Sequence, residues 1–210
     1  MRPQADSRKW MACLYNSFLF MEAKIMKMAK KLLALVLTGV MAMSMLTGCA
    51  SISSRQVADE LETMLHAANT KATVKAVDSE LANKAVKAAK TDDGKLKADA
   101  ALKKDVTTAL SKDNNDKYVW YTYFTAKDMK KADKAQKIAN MMTYKVGTTM
   151  KINTGSAVNA ASVKVGDKTT GITAGDKYEL SMKEFTIGTG KDAVDYVMFV
   201  VTCKAVEASK

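Results

Sequence analysis

The hexapeptide Tyr196-Val197-Met198-Phe199-Val200-Val201 most constrains what this chain can fold into. Aromatic and β-branched residues suit a pleated, packed backbone. Successive side chains of a strand point to opposite faces, and here both faces are apolar. The segment is therefore expected to be a central strand, covered by helices on one side. Cys203 continues the face of Val197, Phe199 and Val201, so a buried, inert thiol is expected there. From Thr143 onward the hydrophobic period is two, with Gly and Asn as punctuation. Strands are predicted at 144–152, 161–165, 178–187 and 196–205. The predicted turns are Asn153-Thr154-Gly155, Gly166-Asp167, Ala174-Gly175-Asp176 and Gly188-Thr189-Gly190.

Earlier in the chain the period is helical. Ser53 and Gln56 match a capping box, and Val57, Leu61, Met64, Leu65 and Ala68 form an i, i+4, i+7, i+8, i+11 stripe. The opposite face carries Asp59, Glu60 and Glu62, which favours a core-facing helix over one lying on an anionic membrane. His66 lies beside the stripe and reads as structural. A short strand is predicted at 70–77. Two further helices follow, with Leu81, Ala85, Val86 and Ala89 inward in the first and Leu102, Val106, Ala109 and Leu110 in the second. Asp92-Asp93-Gly94 separates them. The Ala- and Lys-rich composition of 71–112 suggests a mobile helical hairpin. Residues 118–124 are the richest aromatic stretch and read as a strand, with Val119, Tyr121 and Tyr123 on one face and Tyr118, Trp120, Thr122 and Phe124 on the other. Thr125 and Asp128 resemble a capping box for a helix reaching Met142. Its inner face is Ala132, Ala135, Ile138, Ala139 and Met142; Lys127, Lys130, Lys131, Lys134 and Lys137 are expected outside. The fold class is α+β: N-terminal helices followed by a mainly antiparallel sheet packed on helices.

The segment before these elements looks like an export signal. Lys24, Lys27, Lys30 and Lys31 precede an apolar run at 32–46 of 15 residues. A spanning helix needs about 20 residues, whereas a signal h-region has about 7–15, so a transmembrane anchor is disfavoured. The run ends in Leu46-Thr47-Gly48-Cys49. This resembles the lipobox of bacterial lipoprotein signal peptides. The resemblance covers only about residues 24–49 and leaves the rest of the chain unassigned. It implies cleavage between Gly48 and Cys49, a diacylglyceryl group on the Cys49 sulfur, and an extracytoplasmic domain anchored to the bacterial cell membrane. Each buried CH₂ contributes ~0.8 kcal/mol, and two acyl chains hold where one is marginal. Residues 1–25 read as an upstream extension of the frame, with Met26 or Met28 as a natural start. An unusually long n-region is the alternative. Residues 26–48 are then the signal peptide, 49–54 a short tether, and 55–210 a single domain, mostly helical to 117 and mixed from 118. The five residues after the cysteine, Ala50 to Ser54, reach at most ~17 Å.

Cleavage leaves 162 residues, enough for one ordinary domain. Seven of the 33 Lys and Arg and two of the 22 Asp and Glu precede Cys49, leaving 26 basic and 20 acidic residues. Arg55 is the one arginine after Cys49. Lysine lacks the bidentate fork that reads phosphates and bases, and with an exported chain this argues against nucleic acid. A loose anionic envelope polymer, a carbohydrate or a protein partner fits better. With Cys49 acylated, Cys203 has no intrachain disulfide partner.

Catalytic signatures are thin. No G-x-S-x-G surrounds a serine, and His66 is the only histidine. The carboxylate pairs are Asp92-Asp93, a turn, and Asp59-Glu60 and Glu60-Glu62, a helix face. The loop 112–117 faintly suggests calcium, but a site counted from Asp113 has Tyr118 and Phe124 where Gly and Glu are needed. Gly188-Thr189-Gly190-Lys191 lacks P-loop spacing and reads as a hairpin connection. No cofactor or metal is expected. The expected function is a non-catalytic envelope lipoprotein that binds or interacts, through candidate residues Trp120, Tyr121, Lys127, Lys130, Lys131 and Lys134. A small envelope hydrolase, or the solute-binding component of a transporter, is the alternative.

Overall fold

The structure, a computed structural model, describes residues 53–112, 114–126 and 131–208. The leader, Gly48, Cys49, Lys127 and Lys130 lie outside the described residues, and for Lys131 only the backbone is described. The architecture is α+β. The elements are α1 (Ser54–Leu65), β1 (Thr73–Ala76), α2 (Glu80–Ala89), α3 (Asp99–Ser111), β2 (Lys117–Thr125), α4 (Lys131–Met142), β3 (Thr143–Val146), β4 (Thr149–Ile152), β5 (Ile172–Ile187) and β6 (Val194–Glu207). The main sheet has the order β1-β5-β6-β2; β3 and β4 form a separate hairpin. β5, β6 and β2 are antiparallel, and β1 runs parallel to β5.

β6 is an inner strand, as its apolar run requires, and it is covered on both faces rather than one. Val197, Phe199, Val201 and Cys203 join a core with α1 and α4, where Val57, Leu61, Leu65, Ala135, Ile138 and Met142 are buried. Met198 and Val200 join a second core with α2 and α3, built from Ala82, Ala85, Val86, Ala89, Leu102, Val106 and Leu110. Each fully buried aliphatic side chain contributes ~1.5–3 kcal/mol. The α2–α3 pair is therefore a packed layer and not a free hairpin. Its weakly hydrophobic sequence suffices because small alanines let α2 lie close to the sheet. β2 divides as its alternation predicts: Tyr118, Trp120 and Phe124 face the first core, and Val119, Tyr121 and Tyr123 the second.

Several local expectations are corrected. Ser53 precedes α1 but its side chain makes no capping bond; its carbonyl instead accepts from the N–H groups of Gln56 (2.9 Å) and Val57 (3.2 Å). The acidic face of α1 has a structural use, because Glu62 accepts the Val74 N–H at 2.7 Å and ties the helix to β1. The strand expected at 144–152 is the β3–β4 hairpin, with Val146 paired to Thr149. Gly147 turns it at φ +58°, a conformation that favours glycine. Residues 161–165 are not a strand: a short 3₁₀ turn, Ala160–Ser162, leads to an isolated bridge between Val165 and Lys168. The expected turn at Ala174-Gly175-Asp176 is a β-bulge inside a longer β5. The Gly188 connection between β5 and β6 is as expected. A Cβ there would lie 2.7 Å from the Asp192 carbonyl oxygen, so only glycine fits.

Candidate functional site

The proposed aromatic and lysine site does not assemble as the sequence suggested. Trp120 is fully buried (0% exposed). Its indole N–H donates to the Asn153 carbonyl and the Ser156 hydroxyl, both at 3.1 Å. The ring packs between Tyr118 and Tyr178, with centroids 5.9 and 6.4 Å away. It is a core residue, unreachable by a ligand. Tyr121 is half-buried on the opposite face of the sheet, so the two candidates never meet. Burial pushes the Tyr121 hydroxyl above its ordinary pKa, with Thr107 and Lys103 offsetting part of that.

Lys134 is buried (2% exposed) rather than displayed. One helical position sets it beside Ala135 and one turn before Ile138, which draws it inward. Loss of water lowers its ammonium pKa, and Glu184 partly opposes this. Conversely Ala132, assigned inward by periodicity, is exposed. Lys137 lies on the surface with Nζ 5.2 Å from the centre of the Phe124 ring, a cation–π contact.

The other singled-out residues are structural. The His66 ring is bonded through Nε2 to the Ala72 carbonyl at 2.9 Å, closing the connection from α1 to β1. Asp93 is a solvated turn residue whose carboxyl is held down to about 2 by Lys95 and Thr91. Cys203 is buried, and desolvation pushes its thiol up to about 12. Its neighbour across the ladder, Tyr178, is also buried, and its hydroxyl has no hydrogen-bond partner among the described residues. A thiol that stays protonated is a poor nucleophile. Among the described residues no group of three or more His, Cys, Asp or Glu side chains comes together as a metal site.

A cleft of about 370 Å³ opens where the β3–β4 hairpin approaches the C-terminal end of α1. Asn69, Tyr144, Lys151, Thr154 and Thr173 contribute to its lining. Tyr144 is 46% exposed and faces Lys151 across the hairpin ladder. The lining offers neutral hydrogen-bonding groups, one cation and one open ring, and no carboxylate, thiol or imidazole.

A residue that sequence reasoning missed is Asn159, buried at 3% exposure. Its side-chain oxygen accepts the Val119 N–H at 3.0 Å, and its amide donates to the carbonyls of Asn114 and Lys117, both at 2.6 Å. Val158 adds a bond from its N–H to the Val119 carbonyl at 2.8 Å. The loop bearing these residues thus covers the outer edge of β2 at its start. An Asn between two alanine-rich stretches carries no periodic signal, so only the folded contacts expose its role.

No family model, curated protein or solved structure matches this chain.

Proposed function

We propose that this chain is a bacterial cell-envelope lipoprotein, anchored through Cys49, whose folded part is a non-catalytic interaction module. The carrying observation is positional. The first described helix, α1, begins at Ser54, five residues past the cysteine of the Leu46-Thr47-Gly48-Cys49 motif. An anchor followed at once by a folded domain keeps that domain near the bilayer, since the tether spans at most ~17 Å. α1 then rises ~18 Å along its axis, and the cleft lined by Asn69 and Lys151 sits beyond its far end. No described helix is long and apolar enough to cross a membrane. An interaction role is supported by chemistry: neither the buried Cys203 thiol nor the bonded His66 ring is placed to act as nucleophile or base.

The test is metabolic labelling in a bacterium with tagged palmitate. The parent should carry label and fractionate with membranes, and Cys49→Ala should lose both. A labelled Cys49→Ala protein would remove the anchor.

A further inference from the structure

A four-stranded open sheet has two edges, and this fold treats them differently. The β1 edge is blunted. β1 has only four residues and includes Lys75. Beyond it, the Lys90 ammonium donates to the Thr186 carbonyl of β5 at 3.2 Å and closes part of the remaining edge. Short strands and edge lysines are the usual protection against unwanted pairing. The β2 edge lacks these devices. β2 has nine residues, contains no proline, keeps an unbroken register with β6, and has no charge after Lys117.

The direction of its free groups follows from alternation. The Val119 N–H and C=O point away from β6, since they bond Asn159 and Val158. In an antiparallel strand every second residue repeats that orientation. Tyr121 and Tyr123 therefore also turn N–H and C=O outward. The covering loop stops at Val119, and neither tyrosine's backbone has an outward partner among the described residues. The two faces beside the edge differ in charge. Lys137 lies against Phe124 on one side and makes no ion pair with a described residue. On the other, Lys103 and Asp99 both lie near Tyr121 and Tyr123 and are paired at 2.9 Å, so that face offers no spare cation.

We infer that the free edge of β2, from Tyr121 to Thr125, is a docking site for an extended acidic segment of a partner protein, which joins the sheet as a fifth strand next to β2. Backbone pairing supplies the register. Its acidic side chains lie on the Phe124 face and meet Lys137, while the alternate apolar ones lie on the face of Tyr121 and Tyr123. A second copy of this chain is the poorer occupant. The part after Cys49 has 26 basic and 20 acidic residues, and antiparallel pairing of two β2 edges would bring like lysines together. This inference rests on the interaction-module reading but not on the anchor, so loss of peptide binding leaves the Cys49 labelling result standing, and the converse.

The test uses the full chain in mild detergent and two short capped fluorescent peptides, alternating glutamate with valine and lysine with valine. The glutamate peptide should bind and slow amide hydrogen exchange at Tyr121 and Tyr123, while the lysine peptide should not. Tyr123→Pro removes one outward N–H without touching the β6 ladder and should weaken binding roughly tenfold. If that variant fails to fold, Lys137→Glu decides, because it changes a surface side chain only; it should weaken the glutamate peptide and favour the lysine one. Unchanged exchange at both tyrosines, equal binding of the two peptides, or indifference to Lys137→Glu would overturn the inference. So would a dimer of the chain alone in which those two amides are already protected.

Discussion

Asn159→Ala is the sharpest test of how this fold secures its aromatic strand. The substitution deletes three hydrogen bonds, one to the Val119 N–H and two to the carbonyls of Asn114 and Lys117. Val119 is fully buried, so its N–H has no water to replace the lost acceptor. A buried donor left unpaired costs about 1–3 kcal/mol. The two carbonyls lie nearer the surface and can recruit water, so each loses about 0.5–1.5 kcal/mol. The sum is about 2–6 kcal/mol. A domain of this size shifts by about 2–4 °C per kcal/mol, so the melting temperature should fall on the order of 10 °C. Calorimetry reads the shift, and hydrogen exchange should show the Val119 amide opening with it. Asn159→Asp is the informative companion. It keeps the acceptor for Val119 but turns a carboxylate toward two carbonyl oxygens, so near neutral pH it should be no more stable than the alanine variant. If Asn159→Ala melts within about a degree of the parent and Val119 stays protected, the loop is not what pins β2.

Val201→Asp would place an unpaired charge in the core between Trp120 and Leu180, at a cost of several kcal/mol. It should abolish the cooperative thermal transition, and a variant melting within a few degrees of the parent would show β6 to be peripheral. The Cys203 thiol is raised by burial from an ordinary 9.0 to about 12. Its contribution to stability is full below pH 9.0 and is lost as pH climbs toward 12, because only the unfolded thiol ionises in that window. Denaturant titrations should show stability falling over this range, with a shallower fall in Cys203→Ala; equal slopes would refute the assignment. In the native protein Cys203 should also resist thiol reagents that modify it after unfolding. Lys134→Met removes an ammonium whose charge burial disfavours and keeps the chain length, so its melting temperature should rise. A fall would show that the charge is compensated.

How much of this was legible in the sequence depended on whether one periodic signal fixed the answer. β6 could be placed because six consecutive apolar residues leave a strand no exposed face. The two faces of β2 followed from alternation alone. Composition misled where it stood in for contact: lysine- and alanine-rich 71–112 looked loosely held, yet α2 and α3 bury a continuous stripe on the sheet. Periodicity also failed at single positions. A 3.6-residue repeat leaves borderline places at the edges of a helix face, and Lys134 and Ala132 fell on the wrong sides of it. Sequence alone makes Trp120 and Tyr121 binding candidates. An apolar strand flanked by two helical layers makes the same residues core, and Trp120 finds its indole partners in Asn153 and Ser156, more than thirty positions away. What no local pattern could reveal is which sheet edge stays open. That depends on where the loop carrying Asn159 returns, and it returns only as far as Val119. The docking edge inferred above thus rests on a contact missing among the described residues, in a strand whose own sequence advertises only its faces.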